Sequence, residues 1–293
     1  MISRKIGLYI HIPFCIQKCQ YCDFLSFPAG EEEKEQYVKQ LLIEMKVRSA
    51  NLKECVVDTV FLGGGTPSIL NEKQIEKIMQ GIFANFTVSE DAEITMEMNP
   101  KTVTEGKLKA YKDNGINRIS FGVQSFDDNY LKLLGRIHCA RDFYENYEMA
   151  RAVGFSNINV DLMSALPGQS LHDIQKTLQK VTSLSPEHIS FYGLIVEEGT
   201  PFYEKYGEEN RRREEGEERM EDELPGEQLE REMYQCICDT LQEHGYLHYE
   251  ISNYGKPGFL CRHNLKYWER KEYLGLGLGA ASLLENIRYK LLF

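Results

Sequence analysis

No stretch of this chain approaches the roughly 18 to 20 consecutive apolar residues that a membrane helix needs. Basic charge is scarce too. With 34 lysines and arginines against 45 acids the net charge is −11, so a phosphate backbone is a poor partner and no nucleic acid is expected. The amino terminus lacks a secretory leader: MISRK precedes a short apolar run, GLYIHIPF, that leads into cysteines and not into a small-residue cleavage site. These absences predict a cytoplasmic protein that is not integral to a membrane. In that compartment the eight cysteines are thiols or metal ligands and not disulfides.

What is present is a repeating pattern in a chain of 293 residues, 42% hydrophobic, which is enough to bury a large core. Short β-rich runs occur at Ile6 to Ile12, Val56 to Leu62, Glu93 to Met98, Arg118 to Val123, Asn157 to Leu162 and His188 to Leu194. Between them, Glu33 to Ala50, Glu72 to Ala84, Thr104 to Asn114, Arg141 to Val153 and Leu171 to Thr182 have helical spacing. Such alternation predicts an α/β fold with a parallel sheet, an open or partial barrel whose chemistry lies at the carboxyl ends of its strands. The pattern stops after Leu194. Residues 204–226 read as a charged surface loop, and residues 227–293 as an α+β extension, with a helix over Leu224 to His244 and a strand over Tyr246 to Ile251.

Directly after the first strand, YIHIPFCIQKCQYCDF spaces Cys15, Cys19 and Cys22 as C-x3-C-x2-C. A zinc knuckle would need a fourth ligand, and none is adjacent; His11 lies in the strand and reads as core or pocket wall. Three thiolates suit an iron–sulfur cubane, satisfying three irons and leaving one open. The second strand ends in FLGGGTPS, where Gly64, Gly65 and Thr66 would let backbone approach a ligand closely. This turn has neither the lysine of a Walker loop nor dinucleotide spacing. On the third strand Glu93, Thr95 and Glu97 share a face, and Glu97, nearest the carboxyl end, is the candidate acid, while Glu93 reads as plain strand polarity. Gln124, Asp161 and Tyr192 follow apolar runs at later strand ends and need partners if buried. Arg136 offers a forked donor to a carboxylate, or is simply an exposed arginine at a helix end.

The cysteine spacing, with an aromatic before the last cysteine, resembles the radical S-adenosylmethionine (SAM) superfamily. That resemblance implies a partial (β/α)6 barrel, a 4Fe-4S cluster on Cys15, Cys19 and Cys22, and SAM chelated at the open iron, where one electron cleaves the sulfonium to a 5′-deoxyadenosyl radical. Further runs, including LLGRIH, PEHISFYGL, YEISNYGKPG and CRHNLKYW, are similar to the coproporphyrinogen dehydrogenase-like branch. They imply SAM contacts from Tyr9, Tyr21, Gly64, Gly65, Thr66, Glu97, Gln124, Arg136 and Asp161.

The branch holds oxygen-independent coproporphyrinogen III oxidases of the HemN type and heme chaperones of the HemW type. Oxidases carry a further cysteine where this chain has Phe24, and the chaperones carry HNxxYW, here His263, Asn264, Leu265, Lys266, Tyr267 and Trp268. The resemblance therefore implies a heme chaperone, with heme or porphyrin, a heme-acceptor protein and an electron donor such as flavodoxin or ferredoxin as partners. Enzymatic turnover stays undecided, with radical decarboxylation in porphyrin metabolism as the alternative. For heme, His263 is a candidate iron ligand and Tyr267 and Trp268 offer flat faces. The bland reading is that His263 and Trp268 anchor the extension. Cys261 is a second candidate ligand or a small buried residue, and Cys55, Cys139, Cys236 and Cys238 are expected as reduced, mostly buried thiols. Two departures stand out: Ala281 occupies a position usually held by histidine, and the stop at Phe293 suggests a truncated sequence.

Overall fold

The computed structural model describes residues 4–207 and 223–290, so most of the charged run, residues 208–222, lies outside the described residues. Six parallel strands pair in chain order: β1 (Arg4–Ile12), β2 (Cys55–Gly64), β3 (Thr87–Met98), β4 (Arg118–Gln124), β5 (Ile158–Ser164) and β6 (His188–Gly193). The crossovers are α1 (Glu31–Ser49), α2 (Glu72–Asn85), α3 (Glu105–Asp113), the pair α4 (Asp128–Leu133) and α5 (Ala140–Val153), and α6 (Leu171–Leu184). After α7 (Pro201–Tyr206) come α8 (Glu227–Glu243), β7 (Leu247–His248), β8 (Asn253–Gly255), α9 (Arg262–Trp268), β9 (Tyr273–Leu276), β10 (Ala281–Leu284) and β11 (Ile287–Lys290).

The strand sequences explain the curvature and the location of the site. One face of the sheet carries Ile6, Leu8, Ile10, Val60, Leu62, Met96, Phe121 and Val160, all fully buried beneath the helices. The opposite face is polar. Register places Thr59 beside Glu93, Glu97 beside Ser120, and Gly122 beside Asp161, so polar side chains from successive strands line one concavity. Parallel strands covered on both faces normally read as continuous apolar runs; these alternate because one face encloses a site and not a core.

β1 and β6 do not pair with each other, so the barrel is open. β9 adds parallel to β1 at one edge and β8 antiparallel to β6 at the other. The carboxyl-terminal extension thus continues the same sheet at both edges. Its expected helix starts at Glu227, after Pro225 and Gly226. The strand expected over Tyr246 to Ile251 is cut to Leu247–His248, because the chain turns so that the Tyr249 hydroxyl meets His188 Nε2 at 2.8 Å. Of the charged loop expected over residues 204–226, residues 204–206 are instead the end of α7, where the Tyr206 ring is buried, and residues 208–222 lie outside the described residues.

Candidate cluster and cofactor site

The cysteine loop leaves the carboxyl end of β1 and is closed on itself by Cys15 N–H to Phe27 O (3.1 Å) and Phe27 N–H to Pro13 O (3.0 Å). Gln20 N–H, bonded to Leu134 O at 3.1 Å, ties it to the turn after α4. Cys15, Cys19 and Cys22 all line one cavity of about 140 Å³ at the strand ends. None of the eight cysteines is in a disulfide; Cys55 and Cys238 are buried, whereas Cys139 and Cys236 are half-buried. Among the described residues no three histidines, cysteines or acids are gathered as ligands of a single ion must be. Three thiolates at one cavity, each able to hold a different iron, match the donor set of a cubane with one iron left open.

The cysteines are braced by a chain of polar contacts. Cys15 Sγ lies 3.3 Å from Thr66 Oγ1, which accepts from Asn99 Nδ2 at 2.9 Å. Asn99 Oδ1 accepts from Arg136, whose other guanidinium nitrogen donates to Cys19 Sγ at 3.4 Å. Asn99 is the residue that sequence reasoning missed. The only signal was its place two residues beyond Glu97, where a strand end becomes a loop at a proline. Arg136 is not the exposed helix-end residue of the bland reading: it lines the cavity, and its Nε is buried with no partner among the described residues.

The glycine turn fits against this loop without room for side chains. Gly65 N–H donates to Ile12 O and Thr66 N–H to Phe14 O, at 2.9 and 2.7 Å. A Cβ on Gly65 would stand 2.7 Å from Phe14 O, and Gly64 has φ of 106°. Glu97 accepts the Gly64 N–H at 3.1 Å. Burial, reinforced by Asp161, pushes the Glu97 carboxyl up to about 8, and burial likewise raises Asp161 despite hydrogen bonds from Ser120 and Asn159. Gln124 ends β4 at φ of 69°, a strained setting for a residue with a side chain, and accepts from the Tyr192 hydroxyl at 2.8 Å. Two buried acids that resist ionisation and an orphaned guanidinium nitrogen describe a cavity short of one cationic and one anionic partner. An amino-acid sulfonium supplies both.

Of the expected cofactor contacts, Tyr21, Gly64, Gly65, Thr66, Glu97, Gln124, Arg136 and Asp161 line this cavity. Tyr9 does not. Its ring stacks on Phe61 and its hydroxyl meets His11 Nδ1 at 3.0 Å; it lines a second cavity together with Tyr267. His11 in turn reaches Leu25 O through Nε2 at 2.9 Å, joining that second cavity to the cysteine loop.

The HNLKYW run is α9, laid across the polar face at the opposite end of the sheet. Glu93, expected as plain strand polarity, is buried and accepts the N–H groups of Arg262 and His263, both at 3.0 Å. It caps the helix, because the first turn of any helix has unpaired N–H groups. Lys266 pairs with Asp58 at 2.7 Å, and both are buried. His263 is 1% exposed: Nδ1 meets Thr59 Oγ1 and Nε2 meets the Tyr267 hydroxyl, each at 2.9 Å. Burial lowers its pKa to about 3, which keeps the imidazole neutral. His263 therefore anchors the extension, as the bland reading had it. Trp268 does not, being 55% exposed, and Asn264 is half-buried. Cys261, fully buried at the helix start, is the small core residue and not an accessible ligand; burial pushes its thiol up to about 12.

Residues 9–181 match the model of the radical SAM superfamily. Heme chaperone HemW of Bacillus subtilis is 39% identical over 281 residues, 96% of this chain and 71% of that protein. Heme chaperone HemW of Escherichia coli is 39% identical over 276 residues, 94% of this chain and 69% of that one. The chain belongs to the radical SAM superfamily, in the group of the HemW proteins. A solved structure of E. coli coproporphyrinogen III oxidase, HemN, a radical SAM enzyme, superposes with TM-score 0.82 at 25% identity, covering 98% of this chain and 67% of that one. Among the described residues no helix is long and apolar enough to cross a membrane.

In this radical SAM protein Cys15, Cys19 and Cys22 would hold the 4Fe-4S cluster, with SAM beside it along Gly64 to Thr66, Glu97, Gln124, Arg136 and Asp161. When bound, the pair supplies one-electron cleavage of a sulfonium. The protein's own part is orientation. Arg136 presents a fork between Cys19 and the Asn99 amide; Asp161, held by Ser120 and Asn159, fixes one acceptor orientation; Gly65 brings the β2 turn onto the cysteine loop with no intervening side chain. Glu97, its carboxyl raised to about 8 by burial, can hold a proton at neutral pH and release it to a bound cation's field.

Proposed function

We propose that this chain is a heme chaperone: it binds heme at the α9 end of the sheet and passes it to an acceptor protein, using the cluster and SAM core of residues 1–203. One observation carries the reading. The HNLKYW helix leaves Tyr267 and Trp268 40% and 55% exposed, Tyr267 in the wall of a cavity, in a chain whose relatives at 39% identity are heme chaperones. Flat exposed aromatics beside a neutral imidazole suit a macrocyclic iron ligand. His263 Nε2 already holds the Tyr267 hydroxyl, so ligation by His263 requires that tyrosine to swing away. Residues 227–293 act as the heme-bearing extension, and the setting is the cytoplasm. Exposed Ile16 and Phe24 flank the cysteine loop where an electron donor, flavodoxin or ferredoxin, would approach.

The test is a hemin titration of the purified chain. Trp268 is the single tryptophan, so its emission follows binding beside the Soret band, and the variants locate the site. Saturable binding at one heme per chain, weakened in Tyr267→Ala and Trp268→Ala, is expected; no saturable change would overturn the reading. The likeness to HemN at TM-score 0.82 favours a second reading, oxidative decarboxylation of coproporphyrinogen III. Anaerobic incubation with that substrate, reductant and SAM is expected to give no protoporphyrinogen; its formation would put the oxidase first.

A further inference from the structure

The second cavity, about 540 Å³, is lined by Tyr9, Tyr267, Arg270, Tyr273, Ala281, Leu283, Asn286 and Arg288. Its volume lies in the usual range for small-molecule sites. The sheet register builds it. Tyr273 on β9 sits beside Leu283 on β10, and Leu283 beside Arg288 on β11, so these three form one cross-strand row. Tyr9 pairs with Gly275 in the neighbouring row, where Ala281 adds only a methyl group. The result is a floor of Ala281 and Leu283 between the walls of Tyr9, Tyr267 and Tyr273. Tyr267 meets Tyr273 edge to face at 4.7 Å, and its hydroxyl is fixed on His263.

The charges are equally specific. In a chain with net charge −11, both arginines at this cavity, Arg270 and Arg288, have no carboxylate partner among the described residues. They enter from different elements. Arg270 follows α9 at φ of 51°, and Arg288 follows the β10–β11 turn, in which Glu285 and Asn286 both have positive φ, the geometry that matches strand twist. Two guanidinium groups beside an aromatic-walled slot make a receptor for a flat ring system bearing two carboxylates.

We propose that this cavity seats a tetrapyrrole, with Arg270 and Arg288 receiving its two propionates and Tyr267 and Tyr273 flanking the ring. The inference rests on the heme-chaperone reading and adds where the ligand lies and what orients it. No imidazole projects at position 281, and two histidine rings stand behind the aromatic walls, His263 on the Tyr267 hydroxyl and His11 on that of Tyr9.

The full chain is titrated with hemin and with hemin dimethyl ester, reading Trp268 quenching and the Soret band, for wild type, Arg270→Ala/Arg288→Ala and Arg288→Glu. Wild type is expected to prefer hemin over its ester by about tenfold or more, the scale of one to two partly exposed charge-assisted contacts. The double variant should lose that preference, binding both as wild type binds the ester, and Arg288→Glu should bind hemin more weakly still. Both arginines are exposed, so circular dichroism should remain that of wild type; Leu283→Phe, which narrows the slot without adding a tryptophan, should weaken both ligands alike. Saturable hemin binding that is unchanged in all three variants would overturn this cavity as the seat while leaving the heme reading intact. No hemin binding by wild type would overturn both.

Discussion

Glu93 is the residue whose loss should do the most to the HNLKYW helix. That helix has seven residues, far below the length at which a helix is stable by itself, so its contacts with the sheet must hold it. Glu93 supplies two of them, accepting the Arg262 and His263 N–H groups at 3.0 Å each, and its charge also faces the buried Arg118. Charge-assisted bonds contribute about 1.5–3 kcal/mol apiece, and stripping a buried cation of a nearby carboxylate costs about 3–5 kcal/mol. These overlap, since one carboxylate serves both, so Glu93→Ala should destabilise by about 3–5 kcal/mol. Glu93→Gln keeps one acceptor oxygen and should cost roughly half as much. Urea unfolding followed by Trp268 emission and by far-ultraviolet dichroism separates local from global loss: in Glu93→Ala the emission change should precede the dichroism change, and the Arg262 and His263 amides should exchange faster. Coincident transitions with a midpoint within about 0.5 kcal/mol of wild type, and unchanged exchange at those amides, would refute the capping argument.

Two further outcomes follow from the cofactor site. Gly65→Ala puts a methyl 2.7 Å from Phe14 O and 2.8 Å from Ile12 O, both backbone, so the β2 turn must separate from the cysteine loop; reconstituted cluster absorbance should fall well below wild type while dichroism is retained. Glu97, at about 8 in the folded protein against 4.5 in the unfolded chain, holds its proton in the native state over that interval, so wild-type stability falls as pH rises from about 4.5 to about 8 and then levels. Glu97→Gln removes this contribution. Its stability relative to wild type should grow by up to about 1.4 kcal/mol per pH unit within the window and be constant above it; a difference independent of pH would refute the raised pKa.

The local signals survived translation into structure. Alternation along β3 correctly put Glu97 at the strand end, and the cysteine and glycine turns fell at the ends of adjacent strands, because period and spacing are properties of a few consecutive residues. Reading failed where a contact joins distant segments. Glu93 looked like surface polarity since nothing near it in sequence reveals that α9 will cover it, about 170 residues later in the chain. Asn99 has no pattern of its own; its role exists only where Thr66 and Arg136 converge on it. Tyr9 follows the motif of a cofactor contact yet faces a different cavity, because its side of β1 is shared with β9 and not with the cysteine loop.

The sequence by itself determined that this protein has a cubane-type cysteine loop, a glycine turn beside it and a partial parallel barrel to carry them. Each is written in residues close together in the chain. Only the tertiary structure decided what the HNLKYW motif does with its side chains: His263 turned inward onto Thr59, 204 positions away in sequence, while Tyr267 and Trp268 stayed at the surface. A seven-residue helix has no preferred face until it is packed. Glu93, Asp58 and Thr59 on neighbouring strands fix its rotation, and that rotation opens the second cavity.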